Sequence, residues 1–351
     1  MKAIIASVLI TSLYIFLTLD VVQTQRKSKG CSEQFECVPI SNCRELTEYI
    51  YYPCGTNSIC CPPESFMASV RRPNITSRYS ILPSECGLVL ASNKITGGEI
   101  SAVGQFPWMA LLGYTQKGIN VIQFLCGGSL ISNEYILTAA HCTSLDSRLT
   151  LQVVRLGEND LEKREDCDVN GCNVYIDIPV SNFLSHEKFN KTSLENDVAI
   201  VKLKEKVTFT DFIQPICLPI NDGIDYKPEV NKNLLVSGWG KTDSANIGGS
   251  SKLLYTTVEV WDLRKCNDSV PPNSRPIRDS QLCANGIKKQ DACKGDSGGP
   301  LINSSVIRGD YRSYQIGIVS FATALTCGSV ELPTVYTRVE YFMDWILSNV
   351  S

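Results

Sequence analysis

Gly295-Asp296-Ser297-Gly298-Gly299-Pro300 sets a serine between an acid and two glycines. A serine hydroxyl is a poor nucleophile at neutral pH and needs a base, an anion-stabilising pocket and a rigid seat. Flanking glycines let the main chain turn sharply and aim successive N–H groups at one point. A hexapeptide alone decides little, so its partners must be sought in the rest of the chain. The chain holds two histidines, His141 and His186. His141 stands in Leu137-Thr138-Ala139-Ala140-His141-Cys142, directly after an apolar run that reads as a strand. Asp197 stands in Asn196-Asp197-Val198-Ala199-Ile200, at the mouth of another. The order His141, Asp197, Ser297 fits a base, its orienting acid and a nucleophile. The bland reading makes His141 a structural histidine and Ser297 a turn residue, and three motifs in one order weigh against it. His186, in Ser185-His186-Glu187, has no comparable context and reads as a surface residue.

The N-terminus points to an export route. Lys2 is followed by a nearly unbroken apolar run from Ala3 to Leu19, and polar residues resume at Gln23. That order is expected of a signal peptide over residues 1–25, cleaved between Val22 and Arg26; a membrane anchor is the rival reading. Sixteen cysteines, an even number, suit an oxidising compartment and full pairing. Asn74, Asn190, Asn267, Asn303 and Asn349 head N-x-S/T sequons, each a permitted glycosylation site. A net charge of −3 on 351 residues argues against nucleic acid or an acidic membrane surface as a partner.

Three textures follow one another. Cys31, Cys37, Cys43, Cys54, Cys60 and Cys61 crowd into residues 31–61, too short a segment to bury much core without disulfides. Zinc is disfavoured there because the segment lacks histidine and any C-x-x-C. Six cysteines allow fifteen pairings, among which spacing does not choose. Residues 62–94, with four prolines and Arg71-Arg72, read as an exposed linker and activation segment. Beyond Ile95, short β-branched and apolar runs recur between Gly, Pro, Asn and Asp clusters. They are Trp108–Tyr114, Gln123–Leu125, Tyr135–Ala139, Leu149–Leu156, Val198–Leu203, Leu234–Gly238, Leu254–Val260, Tyr314–Phe321 and Thr334–Val339. Only Tyr341–Val350 has helical spacing, so an all-β barrel or pair of barrels is expected.

Residues 95–351 resemble a trypsin-like serine protease of the chymotrypsin fold, and residues 31–61 resemble an arthropod clip domain. The matching segments are Ile95-Thr96-Gly97-Gly98, Thr138–Cys142, Asn196–Ile200, Pro215-Ile216-Cys217-Leu218-Pro219, Ser237-Gly238-Trp239-Gly240, Gly295–Pro300 and Val335-Tyr336-Thr337-Arg338-Val339, with the spacing C-x5-C-x5-C-x10-C-x5-C-C upstream. The resemblance implies two six-stranded antiparallel β-barrels with a C-terminal helix, preceded by a small disulfide-stapled clip domain. It also implies the pairs Cys31–Cys60, Cys37–Cys54 and Cys43–Cys61 in the clip, and Cys126–Cys142, Cys266–Cys283 and Cys293–Cys327 in the protease. Cys86 would pair with Cys217, keeping the clip attached after activation, and Cys167 and Cys172 remain for each other.

On this resemblance Ser297 attacks the scissile carbonyl, His141 moves the proton, Asp197 orients His141, and the N–H groups of Gly295 and Ser297 form the oxyanion hole. Cleavage after Lys94 would free the Ile95 amine to pair with Asp296 and order the site, so the uncut chain is expected to be a zymogen. Asp291, six residues before Ser297, takes the place of the acid that selects Arg or Lys. Ser320-Phe321-Ala322 and Pro333-Thr334-Val335 put Ser320, Ala322 and Thr334 on the pocket walls, with Ala322 and Thr334 where glycines are usual. Those side chains narrow the slot and make hydrolysis weaker or more selective; a preference for small residues is the second possibility.

The loop after Gly157 is acidic. Asp166-Cys167-Asp168-Val169-Asn170-Gly171 mimics an EF-hand loop, but no flanking helices are expected and Cys172 is needed for Cys167. The calcium loop of clip proteases is the better analogy, with Glu158, Asp160, Asp166 and the Lys163 carbonyl as ligands; a solvated acidic loop is the alternative. The resemblance implies a secreted haemolymph endopeptidase of a melanisation or Toll-type cascade. No catalytic cofactor is expected. Its partners would be a protein substrate, an upstream protease that cuts after Lys or Arg, and a serpin inhibitor; no nucleic acid or membrane partner is expected. The rival class is a non-catalytic clip-protease homologue acting as a scaffold, from which a triad member is usually missing.

Overall fold

The computed structural model describes residues 36–39, 53–55 and 58–61 in backbone, and residues 81–88, 99–219, 226, 228, 230–241, 249–270, 276–287, 295–307, 310–323 and 332–350. The chain divides into two units, residues 1–73 with 221–225, and residues 74–220 with 226–351. In the first, β1 (Glu36–Pro39), β2 (Pro53–Gly55) and β3 (Ser58–Cys61) form an antiparallel sheet in the order β1-β3-β2. The three clip disulfides expected from the resemblance rest on side chains outside the described residues, as do the signal peptide, Asn74, Lys94 and Ile95.

The second unit opens with β4 (Glu99–Ile100). Its first barrel is built from β5 (Met109–Gln116), β6 (Ile119–Leu130), β7 (Tyr135–Thr138) and β8 (Leu149–Leu156), with the one-turn helix α1 (Ala140–Thr143) after β7. A small hairpin, β9 (Glu165–Asp168) and β10 (Gly171–Val174), precedes β11 (Ile176–Ser185) and β12 (Ala199–Leu203). The strands close in the order β11-β12-β7-β6-β5-β8, all antiparallel. The second barrel uses β13 (Asn233–Gly238), β14 (Leu254–Trp261), β15 (Gln281–Gly286), β16 (Pro300–Ile307), β17 (Asp310–Ala322) and β18 (Thr334–Arg338), with α2 (Leu263–Ser269) between β14 and β15. Its order is β13-β16-β17-β18-β15-β14; β13 pairs again with β14 to close it, and β4 adds to β14. The chain ends in a 3₁₀ turn, Val339–Phe342, and α3 (Met343–Asn349).

The sequence explains this arrangement through burial. Trp108, Leu112, Leu130, Ile136, Leu137, Val154 and Leu156 are fully enclosed in the first barrel. Each such aliphatic side chain is worth about 1.5–3 kcal/mol when removed from water. In β14, Leu-Tyr-Thr-Thr-Val-Glu-Val-Trp alternates over its second half, with Thr256, Val258 and Val260 buried and Thr257, Glu259 and Trp261 partly exposed. Each of the nine apolar runs read from the sequence coincides with a strand, with Trp108, Ala139, Val198 and Val339 each one residue beyond its end. Three of the twelve barrel strands, β11, β15 and β16, were not foreseen. In β11 most side chains face outward and Pro179 interrupts the run, so burial leaves little apolar pattern to read.

Four disulfides staple the described residues: Cys86–Cys217, Cys126–Cys142, Cys167–Cys172 and Cys266–Cys283. Cys86–Cys217 ties residues 81–88 to the barrels across 131 residues of sequence. Gly87 N donates to Pro215 O and Ser313 N to Gly87 O, so the segment is also held by main-chain bonds. Cys293 and Cys327 lie outside the described residues.

Candidate active site

His141 sits on α1, a single turn whose N-cap, Ala139, offers no side-chain bond. The helix is held instead by Cys126–Cys142 and by Tyr114, whose buried hydroxyl donates to Cys142 O at 2.7 Å. Asp197 is delivered by the turn between β11 and β12. That turn is tight enough to force Leu194 and Asn196 to φ of 53° and 55°. Left-handed conformations in non-glycine residues cost free energy and persist where surroundings enforce them.

Asp197 is fully buried and surrounded by donors. Its Oδ1 accepts from the His141 main-chain N–H at 2.8 Å, and its Oδ2 lies 2.8 Å from His141 Nδ1. Ser320 Oγ donates to Oδ2 at 2.6 Å, and Thr337 Oγ1 donates to the Asp197 main-chain oxygen at 2.7 Å. A proton held on Nδ1 by a carboxylate leaves Nε2 of the neutral ring as an acceptor, the form a general base requires. The His141 side chain keeps 17% of its surface exposed, and its Nε2 lies 3.6 Å from Cys142 Sγ.

Ser297 lies on the loop ahead of β16. Its carbonyl accepts from Gly127 N at 2.7 Å, and Gly298 N donates to Val319 O at 2.8 Å, so the loop is pinned to both barrels. Gly298 has φ of 81°, and a Cβ there would come within 2.2 Å of Thr138 Oγ1 and 2.5 Å of Gly127 O. Only glycine lets the serine loop sit this close to the strand end that carries His141. Gly240 is similar: its N–H donates to Asp296 Oδ1 at 2.8 Å, and an added Cβ would strike that carboxylate at 2.4 Å. The glycines of Ser237-Gly238-Trp239-Gly240 thus make room for the acid beside the serine.

Ser320, Ala322 and Thr334, expected on the pocket walls, are among the described residues. Ala322 and Thr334 are cross-strand partners between β17 and β18, Ala322 exposed and Thr334 buried. Ser320 reaches the site through its hydroxyl on Asp197. Asp291 lies outside the described residues. Thr337 was not singled out in the sequence for a role at the site, although it stands inside a quoted motif; its contact depends on β18 packing under the β11–β12 turn, which no local pattern reveals. His186 corrects an expectation. Only 10% of its side chain is exposed, and its ring packs on Phe342 and Trp345 with centroids 5.3 and 5.2 Å away. Burial lowers its pKa, and Nδ1 accepts from Lys188 N at 3.1 Å. It packs on the C-terminal 3₁₀ turn and helix, and the aromatics it meets there are 156 and 159 residues away in sequence, invisible to a local reading.

Glu158, Asp160 and Asp166 are all buried. Asp166 Oδ2 accepts from the N–H groups of Asn159 and Asp160, at 3.1 and 3.0 Å. Glu158 accepts from Asn159 N and pairs with Arg155 at 3.1 Å, while Arg155 also binds Asp177 at 2.7 Å. Lys163 reaches Asp160 at 3.2 Å from the surface. Burial, followed at a distance by the neighbouring Asp166, pushes the Glu158 carboxyl up despite its donors.

Comparison with known proteins agrees with this geometry. The family model described as Trypsin matches residues 95–346. The chain is 38% identical to phenoloxidase-activating factor 3 of Holotrichia diomphalia, over 91% of this chain and 92% of that protein. It is 37% identical to the Spaetzle-processing enzyme of Drosophila melanogaster, over 82% and 76% of the two chains. The crystal structure of the Drosophila Grass clip serine protease of the Toll pathway superposes with a TM-score of 0.66 at 31% identity, covering 91% of this chain and 96% of that one. Among the described residues no helix is long and apolar enough to cross a membrane. With the barrels, the glycine-seated serine and these relatives together, the chain belongs to the trypsin family and, within it, to the clip-domain serine proteases.

Proposed function

We propose that the protein is a secreted zymogen that, once cut after Lys94, hydrolyses peptide bonds following Arg or Lys in another cascade protein. The observation that carries this is the hydrogen-bonded set on Asp197, which supports His141 as the base by holding its Nδ1 side against a buried carboxylate. Ser297 Oγ attacks the carbonyl carbon while His141 Nε2 takes its proton, then returns it to the leaving amine. The Gly295 and Ser297 N–H groups stabilise the oxyanion, each worth about 3–4 kcal/mol in comparable sites. Asp291 supplies the charge for a basic side chain, and the Ala322–Thr334 pair narrows the way to it. The relatives' names, phenoloxidase-activating, Spaetzle-processing and a Toll-pathway protease, favour a melanisation or Toll-type cascade, with a pro-protein as substrate, a trypsin-like activator upstream and a serpin as control.

The acidic loop offers the oxygen chemistry of a structural calcium site, but Glu158, Asp160 and Asp166 are not among the described groups whose ligand atoms converge, so an ion would have to draw them together. Of three buried carboxylates, Glu158 alone meets the buried cation Arg155, which Asp177 also claims; Asp160 has the surface Lys163, and Asp166 has only main-chain N–H groups among the described residues. Glu158, Asp160, Asp166 and the Lys163 carbonyl would supply the oxygens a hard cation takes. The ion would offset the carboxylates' mutual repulsion and take no part in the chemistry. Hydrolysis of Arg, Lys, Ala and Val peptides by cut protein, uncut protein and cut Ser297→Ala tests the main reading. Turnover of Arg or Lys peptides by the cut wild type alone is expected. Turnover of small residues only would remove the basic preference, and no turnover would move the protein to the scaffold class.

A further inference from the structure

We infer that Asn190 carries an N-linked glycan in the folded protein, that Asn267 does not, and that the Asn190 glycan screens the rim of the cleft from folded macromolecules. The inference rests on the secretory reading above. Its substance is the different use the fold makes of two identical side chains. Asn190 is exposed, and its Oδ1 accepts from Thr192 N at 2.9 Å and Ser193 N at 3.1 Å. Both bonds fall on the carbonyl oxygen, and its Nδ2 has no partner among the described residues. Linking a sugar to Nδ2 leaves the carbonyl and both bonds in place.

Asn267 is the reverse. It is partly buried, its Nδ2 donates to Leu263 O at 2.8 Å and to Ile277 O at 3.3 Å, and its Oδ1 accepts from Ile277 N at 2.7 Å. The carboxamide ties α2 to the segment entering β15, beside the Cys266–Cys283 disulfide. A glycan would replace one of two engaged N–H groups and drive a large polar body into that contact. The transferred group comes from a lipid-linked oligosaccharide: the C1–N bond forms at the asparagine, the C1–O bond to lipid pyrophosphate breaks, and the amide gives up one proton. Transfer precedes folding, so the fold acts as a filter, accepting chains modified at Asn190 and rejecting those modified at Asn267.

The place of Asn190 gives its glycan a consequence. Lys191 Nζ donates to Ser144 O, at the C-cap of the helix bearing His141, and Glu195 pairs with Arg278 of the second barrel at 3.6 Å. Asp197 follows two residues after Glu195. The glycan therefore stands on a loop that touches both barrels where the triad acid enters.

Full-length protein secreted from insect cells, wild type and Thr192→Val, gives the test. Thr192→Val removes the sequon hydroxyl at an exposed position and keeps the main-chain N–H that bonds Asn190. Enzymatic release of glycans in heavy-oxygen water, read by mass spectrometry, should mark Asn190 and leave Asn267 unmarked. After activation, Thr192→Val should associate several-fold faster with a folded Kunitz-type inhibitor while a tripeptide substrate is turned over unchanged. Secreted protein with Asn190 bare, or with Asn267 marked, overturns the inference and leaves the secretory reading standing. Equal inhibitor association overturns the screening. A chain held inside the cell with every sequon bare overturns both readings.

Discussion

Asp197 and the carboxylates of Glu158, Asp160 and Asp166 are buried alike, and the donors around them differ. Asp197 is one charge met by the His141 N–H, the His141 ring and the Ser320 hydroxyl. The acidic loop is three charges met by main-chain amides, one shared arginine and one surface lysine. Burying a charge is costly unless it is paired and hydrogen-bonded. The first region is complete in itself and can place its charge against a forming imidazolium. The second sets three carboxylates against fewer charged donors, the ground on which calcium is proposed there. Buried carboxylates are thus held in two ways, according to the donors the fold supplies.

The largest effect should come from removing the charge at the completed region. Asp197→Asn keeps the shape but presents an amide to His141 Nδ1 and favours the wrong tautomer. In comparable sites that costs about 10⁴-fold in kcat. A loss below tenfold, measured on activated enzyme with an Arg peptide, would mean that Asp197 does not orient the base. Ser320→Ala should cost less. It deletes one hydrogen bond to a charged group, worth about 1.5–3 kcal/mol, so kcat should fall by about 10- to 100-fold with KM little changed. An equal fall in thermal stability with kcat intact would make Ser320 a structural residue only.

The second region should respond to ions instead. Calcium at about 100 times its dissociation constant should stabilise the folded protein by about 2.7 kcal/mol. That corresponds to several degrees in Tm for a protein of this size. Asp160→Asn should abolish the shift without touching kcat in the absence of calcium. A Tm indifferent to calcium in the wild type would leave the loop a solvated acidic surface.

The sequence disclosed these regions unequally. His141, Asp197 and Ser297 stood out because each sits in a local motif whose glycines and small residues have a geometric job, as Gly298 does against Thr138. Nine strands were legible from apolar runs, whereas β11, facing outward and broken by Pro179, was not. The roles of Ser320 and Thr337 toward Asp197 span 123 and 140 residues, and so depend on the closure of the second barrel against the first. His186 looked superficial because its aromatic partners arrive with the last helix. Contacts made by packing leave no spacing to read; contacts made by turns do.

The smallest effect, and the finest discriminator, is the pH dependence of ion binding. Burial raises the Glu158 pKa, so the ion-free fold holds a proton there more tightly than the unfolded chain does. Glu158 therefore adds stability as pH falls through its folded-state pKa, and its ionised form weakens the ion-free fold above that pH. A cation needs the ionised form and must displace the proton. Calcium affinity should then decline as pH falls from above the usual glutamate range, with up to one proton released per ion bound near the raised pKa. Titration calorimetry in two buffers of different ionisation enthalpy reads that proton directly. In Glu158→Gln the buffer dependence should vanish while weaker calcium binding persists through Asp160 and Asp166. Proton release unchanged in Glu158→Gln would place the titrating group elsewhere, and the contrast between the completed and the incomplete carboxylate sites would then lose its electrostatic basis.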